Sequence, residues 1–218
     1  MKIKISLLIV VITLSVRCLI LFADSLLDSF LERNERIKTF QADFEQRNLW
    51  PELKMERTSF GKVFTEGGNI RLEYSNPSKQ LMIGTEKELI FYFPEEKQLI
   101  KQDANYWQLL LSPELLAKEY LNYCNLQETH KVKGGYLFIF SPTEEMNDFK
   151  KVMIMFSDSD SLIIHFEYED KYNNAVEFNF SNQIINQPIS DTLFSFQVPD
   201  SVNIIDQRTD KGNRGIGE

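Results

Sequence analysis

The sequence predicts a mainly β fold with helices (α+β): one curved antiparallel sheet whose dry concave face is covered by two amphipathic segments. Three observations carry this reading. From Phe60 onward, short runs rich in Phe, Tyr, Ile and Val recur between turn-forming groups such as EGGN, SNPSK, PEE, DSDS and KYNN, the spacing of meandering antiparallel strands. Some runs alternate, with Ile70, Leu72 and Tyr74 on one face against Arg71 and Glu73 on the other, as a strand with one wet side does. Two further stretches space their apolar residues by three and four, the period of an amphipathic helix.

The elements follow in chain order. MKIKISLLIVVITLSVRCLILFA has a charged start, an apolar run and a terminal Ala23, the three-part layout of a secretory signal peptide over residues 1–23, with the mature chain starting at Asp24. Arg17 interrupts the run and Leu21 is large for its place, so an uncleaved anchor stays open, as does lipidation of Cys18. DSLLDSFLERNERIKTFQADFEQ carries Leu27, Phe30, Leu31, Ile37, Phe40 and Phe44 at helical spacing. Asp24 or Ser25 can cap that helix, and the pattern passes into a first strand near Phe40–Arg47.

Strands are expected at GKVF, IRLEY, QLMI, ELIFYF and KQLIKQ, then at YLFIF, KVMIMF, LIIHFEYE and AVEFNF. Gly67-Gly68 and Gly134-Gly135 read as hairpin turns that need positive φ. Between the two groups lies a helical insert, YWQLLLSPELLAKEYLNY, in which Ser112-Pro113 has the order of a cap and first turn. ELIFYF and KVMIMF are apolar on both faces, so a helix or strand must cover their second side. Residues 207–218 have no apolar period and read as a flexible tail. One domain over residues 24–206 is expected.

Composition excludes several classes. Hydrophobic residues make up 43% and charged residues 26%, the balance of a globular chain. The net charge is −8, and the first 23 residues contribute only positive charges, so the rest is more acidic still. Without a basic stripe, nucleic acid is excluded as a partner, and so is strong docking on anionic lipid. With the leader removed, Cys124 would be the last cysteine, unable to form an internal disulfide and placed among apolar neighbours as an inert thiol. His130 and His165 stand apart from each other and from any cysteine, so no metal site is expected; His165 alternates onto the face of Ile163 and Glu167. No Gly-x-Ser-x-Gly elbow, phosphate loop or dinucleotide fingerprint occurs. The acidic pairs Glu95-Glu96 and Glu144-Glu145 read as solvated turns. The expectation is a protein with no catalytic residues, no metal and no cofactor.

The order of motifs resembles one family, the periplasmic carriers of outer-membrane lipoproteins called LolA, with the related receptor LolB. Phe40, Phe44 and Gln46 in IKTFQADFEQ are similar to its Phe-x-x-x-Phe-x-Gln. GKVF and NIRLEYSNP resemble its next two strands, and ELIFYFPEEKQLIKQ resembles its central hairpin. SPELL falls where a family helix begins, and LFSFQVPDSVNIID resembles its closing segment. Two departures stand out. Gly67-Gly68 occupies the turn where the family often has Arg-Pro, and Leu72 and Ile90 stand in place of tryptophans.

The resemblance implies an incomplete antiparallel β-barrel, closed by a helical lid, that shelters the acyl chains of a lipoprotein crossing the periplasm. It implies Ile70, Leu72 and Tyr74 as cavity wall, and Phe30, Leu31, Leu115 and Leu116 as lid. Arg71 becomes the gating or strand arginine. The implied partners are acylated lipoproteins, an inner-membrane lipoprotein-releasing ABC transporter and an outer-membrane receptor, served by a monomeric chaperone. Two alternatives stay open: a LolB-like tethered receptor, and a non-enzymatic periplasmic lipid- or protein-binding module with a solid core.

Overall fold

A computed structural model describes residues 25–104, 112–118, 120–146 and 148–209. Residues 1–24, 105–111, 119, 147 and 210–218 lie outside the described residues, and with them the expected signal peptide, part of the expected helical insert and most of the expected tail. Helix α1 spans residues 25–35. Six strands follow: β1 (Thr39–Trp50), β2 (Met55–Glu66), β3 (Asn69–Asn76), β4 (Gln80–Gly84), β5 (Glu88–Phe93) and β6 (Gln98–Asp103). Helix α2 (Pro113–Lys118) leads to β7 (Cys124–Val132), β8 (Gly135–Pro142), β9 (Phe149–Ser157), β10 (Ile163–Asp170), β11 (Ala175–Ile185) and β12 (Asn203–Asp206).

All twelve strands form one curved open sheet in the order β12-β6-β5-β4-β3-β2-β1-β11-β10-β9-β8-β7. It consists of two meanders, β1 to β6 and β7 to β11, joined where β1 pairs with β11. Adjacent strands are antiparallel except β12, which runs parallel to β6, a departure from the wholly antiparallel sheet expected. Parallel neighbours cannot be joined by a tight turn; here β7 to β11 intervene between β6 and β12, and the segment after β11 brings the chain back to the β6 side of the sheet.

Local chemistry explains the turns. Gly67 and Gly68 have φ of +54° and +86°, the pair of positive values a tight two-residue hairpin demands. The second hairpin differs from its expected form, since of its two glycines only Gly134 has positive φ. Gly135 is already in β8, where a Cβ would stand 2.0 Å from the Phe156 carbonyl oxygen. Its reason is close approach of backbones.

The main core lies on the concave face. Phe40, Phe44, Val63, Ile70, Leu72, Leu89, Phe138, Phe140, Ile154, Phe156 and Phe166 are buried there with Leu27 and Phe30 of α1 and Leu116 of α2. A smaller cluster of Ile83, Ile90 and Leu99 occupies the other face of β4, β5 and β6, packed against Leu81, Tyr92, Phe196 and Val202. That is what covers the second side of ELIFYF. Leu89 and Phe91 serve the main core, while Ile90 and Tyr92 meet the chain that leads into β12. The chain remains tied to the sheet past Asp206, for the amide of Gln207 donates to the Lys101 carbonyl at 2.8 Å and that of Thr209 to Asp103 at 2.9 Å.

His165 does not share a face with Ile163. The register of β10 against β9 shifts between these two residues, so Ile163 is buried while His165 faces outward to Asn179 (2.8 Å) and Glu167 (3.6 Å). A β-bulge breaks period-two alternation, and no residue pattern announces it.

Candidate functional site: an apolar cavity on the concave face

The strands bring an apolar cavity of about 180 Å³ to the half of the concave face away from α1. Leu72 and Tyr74 of β3 form one side, with Gln80 and Met82 of β4 and Phe91 and Phe93 of β5 beside them. Phe166 and Tyr168 of β10, with Val176 and Phe178 of β11, form the opposite side, and Gln46 of β1 lies between. The side chains face one another because strand alternation sends them inward and the curvature of the sheet closes the angle. Phe44 supports the floor, with its ring edge-on to Tyr74 at 5.1 Å and to Phe178 at 5.7 Å.

Polar groups are few. The Tyr74 hydroxyl donates to Oε1 of Gln46 at 2.7 Å, and Nε2 of Gln46 donates to Asn48 at 3.0 Å. Burial, and next the field of Tyr168, push the Tyr74 phenol well above its ordinary pKa. Burial and then Asp170 push Tyr168 up to about 12. Both phenols therefore keep their protons at neutral pH. Four polar side chains, Gln46, Tyr74, Gln80 and Tyr168, stand in an otherwise apolar wall, the make-up of a small-molecule site.

The residues expected from sequence divide. Leu72 and Tyr74 line the cavity. Ile70 lies on the same face, 1% exposed, in the filled part of the core. Phe30 stacks on Phe156 with ring centroids 5.0 Å apart and meets Phe138 edge-on at 5.9 Å, so α1 covers the β8–β9 side. Leu31 is half-buried beside it. In α2, Leu116 is buried and Leu115 half-buried. A Cβ on Gly68 would meet the Leu115 side chain at 4.0 Å, and Glu114 binds Lys38 at 2.7 Å, so α2 sits over the β2–β3 turn and beside the α1–β1 connection.

Arg71 faces away from the cavity. Its Nε donates to Glu73 at 2.6 Å and a terminal nitrogen donates to the Leu193 carbonyl at 2.8 Å, which fastens the segment leading to β12 onto the outer face. The wall residues from β10 escaped the sequence reading, although the alternation of Phe166 and Tyr168 in HFEYED carried the signal. Among the described residues no group of three or more His, Cys, Asp or Glu could hold a metal ion. Burial pushes the Cys124 thiol up to about 11, where it is not a nucleophile. No helix among the described residues is long and apolar enough to cross a membrane.

Comparison with known proteins finds a family, curated relatives and a solved structure of similar fold. The family model described as "Outer membrane lipoprotein carrier protein LolA" matches residues 35–197. The outer-membrane lipoprotein carrier protein of Chromobacterium violaceum is 26% identical over 171 residues, covering 77% of this chain and 81% of its own. That of Azotobacter vinelandii is 24% identical over 177 residues, covering 79% and 84%. Among solved structures, an uncharacterized conserved protein from Thermus thermophilus superposes with a TM-score of 0.53 at 12% identity, over 85% of this chain and 99% of that one.

Proposed function

The chain belongs to the LolA family of outer-membrane lipoprotein carrier proteins, and from that premise we propose that it is a periplasmic chaperone, without catalytic activity, that shelters the acyl chains of lipoproteins on their way to the outer membrane. The observation that supports this most is the position of the apolar cavity. It lies on the concave face of the sheet and is continuous with the core that α1 covers. Each methylene moved out of water contributes about 0.8 kcal/mol, so an unsheltered acylated protein aggregates or returns to a membrane.

In this reading Leu72 and Tyr74 are the wall in the closed state, and Ile70 joins them when the interior opens. Phe30 and Leu31 of α1, with Leu115 and Leu116 of α2, are the lid, and Arg71 anchors the outer strap. The cavity of about 180 Å³ is near the size that takes a benzene ring and below that of a drug-sized pocket. Long acyl chains therefore enter only as the lid moves. Loading by an inner-membrane ABC transporter and release to an outer-membrane receptor complete the proposal, with the carrier as a monomer.

The test is transfer. Protein purified from the periplasm is mixed with vesicles that carry a fluorescent triacylated lipopeptide and is then separated by gel filtration. Co-migration of label with protein, followed by delivery to acceptor vesicles, is expected. Label that stays with the donor vesicles beside folded protein would remove the carrier function.

A further inference from the structure

Resting on the carrier reading, we propose that the phenol of Tyr168 is a hydrogen-bond donor reserved for cargo, receiving an ester carbonyl of the acylated ligand at the end of the cavity nearest the β10–β11 turn. Two tyrosines face this cavity, and their hydroxyls are in different states. Tyr74 has an internal acceptor, Oε1 of Gln46 at 2.7 Å. Tyr168 lines the same space, packed edge-on against Phe149 at 5.1 Å and tilted against Phe166 at 6.1 Å. Among the described residues its hydroxyl makes no hydrogen bond. It is not among the sealed-off polar atoms either, so the O–H is accessible, on a residue that lines the cavity. A tyrosine with a buried body generally finds a partner for its hydroxyl, and here the partner must come from outside the described chain.

The surroundings decide which acceptor suits it. Gln46 has spent its carbonyl on Tyr74 and one N–H on Asn48, which leaves a second neutral donor nearby. The carboxylate of Asp170 lies close enough to Tyr168 to raise its pKa. That carboxylate is itself held charged in the turn, accepting from the amides of Tyr172 and Asn174 and from the Asn174 side chain. Among the described residues the cavity walls supply no lysine or arginine, and the field of Arg57 that reaches Tyr74 is not among the causes acting on Tyr168. Neutral donors beside a fixed negative charge favour an uncharged acceptor over a carboxylate. An acyl ester has such an acceptor at the boundary between its polar head and its chain, where Tyr168 stands relative to the apolar interior.

The experiment compares two synthetic lipopeptides of equal chain length, one with ester-linked and one with ether-linked chains, in equilibrium binding to the full-length exported protein. One neutral hydrogen bond changes affinity by about fivefold, so the wild type is expected to prefer the ester by about that factor. In Tyr168→Phe the ester-to-ether ratio falls toward one, whereas in Tyr172→Phe, at an exposed tyrosine outside the cavity, it keeps the wild-type value. Because the readout is a ratio within one protein, a general loss of stability does not imitate it. Equal affinities in the wild type, or a ratio unchanged by Tyr168→Phe, would overturn the assignment while leaving the carrier function intact. Failure to bind either lipopeptide would overturn both.

Discussion

Phe44 and Gly61 are direct partners across β1 and β2, and the aromatic ring lies over the bare glycine. A Cβ at Gly61 would stand 2.7 Å from Phe44 Cζ and 2.2 Å from the Glu73 carbonyl oxygen. The ring can swing, but the carbonyl belongs to the β2–β3 ladder and moves only if strand pairing breaks. Gly61→Ala is expected to lower stability by about 3 kcal/mol, the upper range for overpacking a dense interior. Gly67→Ala is the control, because nothing lies within 4 Å of its Cβ and only its φ of +54° opposes the change; about 1 kcal/mol is expected there. Urea unfolding with an unchanged slope measures both. Equal losses at the two positions would refute the close-approach explanation.

At the scale of elements, most of the strands were legible because alternation and turn residues coincide there. β3 and β11 run as their apolar residues predict, and α1 buries Leu27 and Phe30 as its period predicts. β7 was missed. CNLQETHKV is polar, and its register shifts between Leu126 and Glu128, so its inward residues do not alternate. As a strand with one free edge it also carries charges such as Lys131 that discourage pairing with another chain. The cover over Ile90 and Tyr92 was legible only as a need, since Phe196 and Val202 are distant in sequence. The cavity's position depends on curvature and on which side chains α1 meets, and local periodicity encodes neither. Asn34 is a further example. It interrupts the apolar stripe of α1, yet it is 0% exposed, and its Nδ2 donates to the carbonyls of Phe30 and of Ser161, each at 2.8 Å. It ties the end of α1 to the β9–β10 turn. Asn34→Ala is expected to cost about 1–2 kcal/mol and to raise hydrogen exchange in α1 while β1 and β9 stay protected. If α1 and the strands lose protection together, α1 is not a separately opening unit.

For the whole molecule, the question is which part yields when a long chain enters. The sheet is strapped on both faces. Helix α2, between β6 and β7 in the chain, lies over the β2–β3 turn on the concave side, with Leu115 against Gly68 and Leu116 in the main core. The chain from β11 to β12 crosses the outer side, held by Arg71 at the Leu193 carbonyl and by Tyr92 against Phe196 at 4.9 Å. Spreading the strands would break these straps and the ladders together. Helix α1 is held by apolar contacts and the Asn34 tie, so on the proposed carrier function it is the element expected to give way. Lifting it exposes Leu27 and Phe30 at about 1.5–3 kcal/mol each, whereas each methylene sheltered returns about 0.8 kcal/mol. Chains short enough for the existing cavity of about 180 Å³ bind without this cost. The next several methylenes only offset it, and longer chains gain in full. A series of lipopeptides from hexanoyl to palmitoyl should therefore show affinity that levels off at intermediate length and then climbs. Protection of α1 amides should fall only in the climbing part. A straight rise in log affinity across the series, with α1 protected throughout, would mean that the interior accommodates the chain without moving the helix, and α1 would then be fixed core and not a lid.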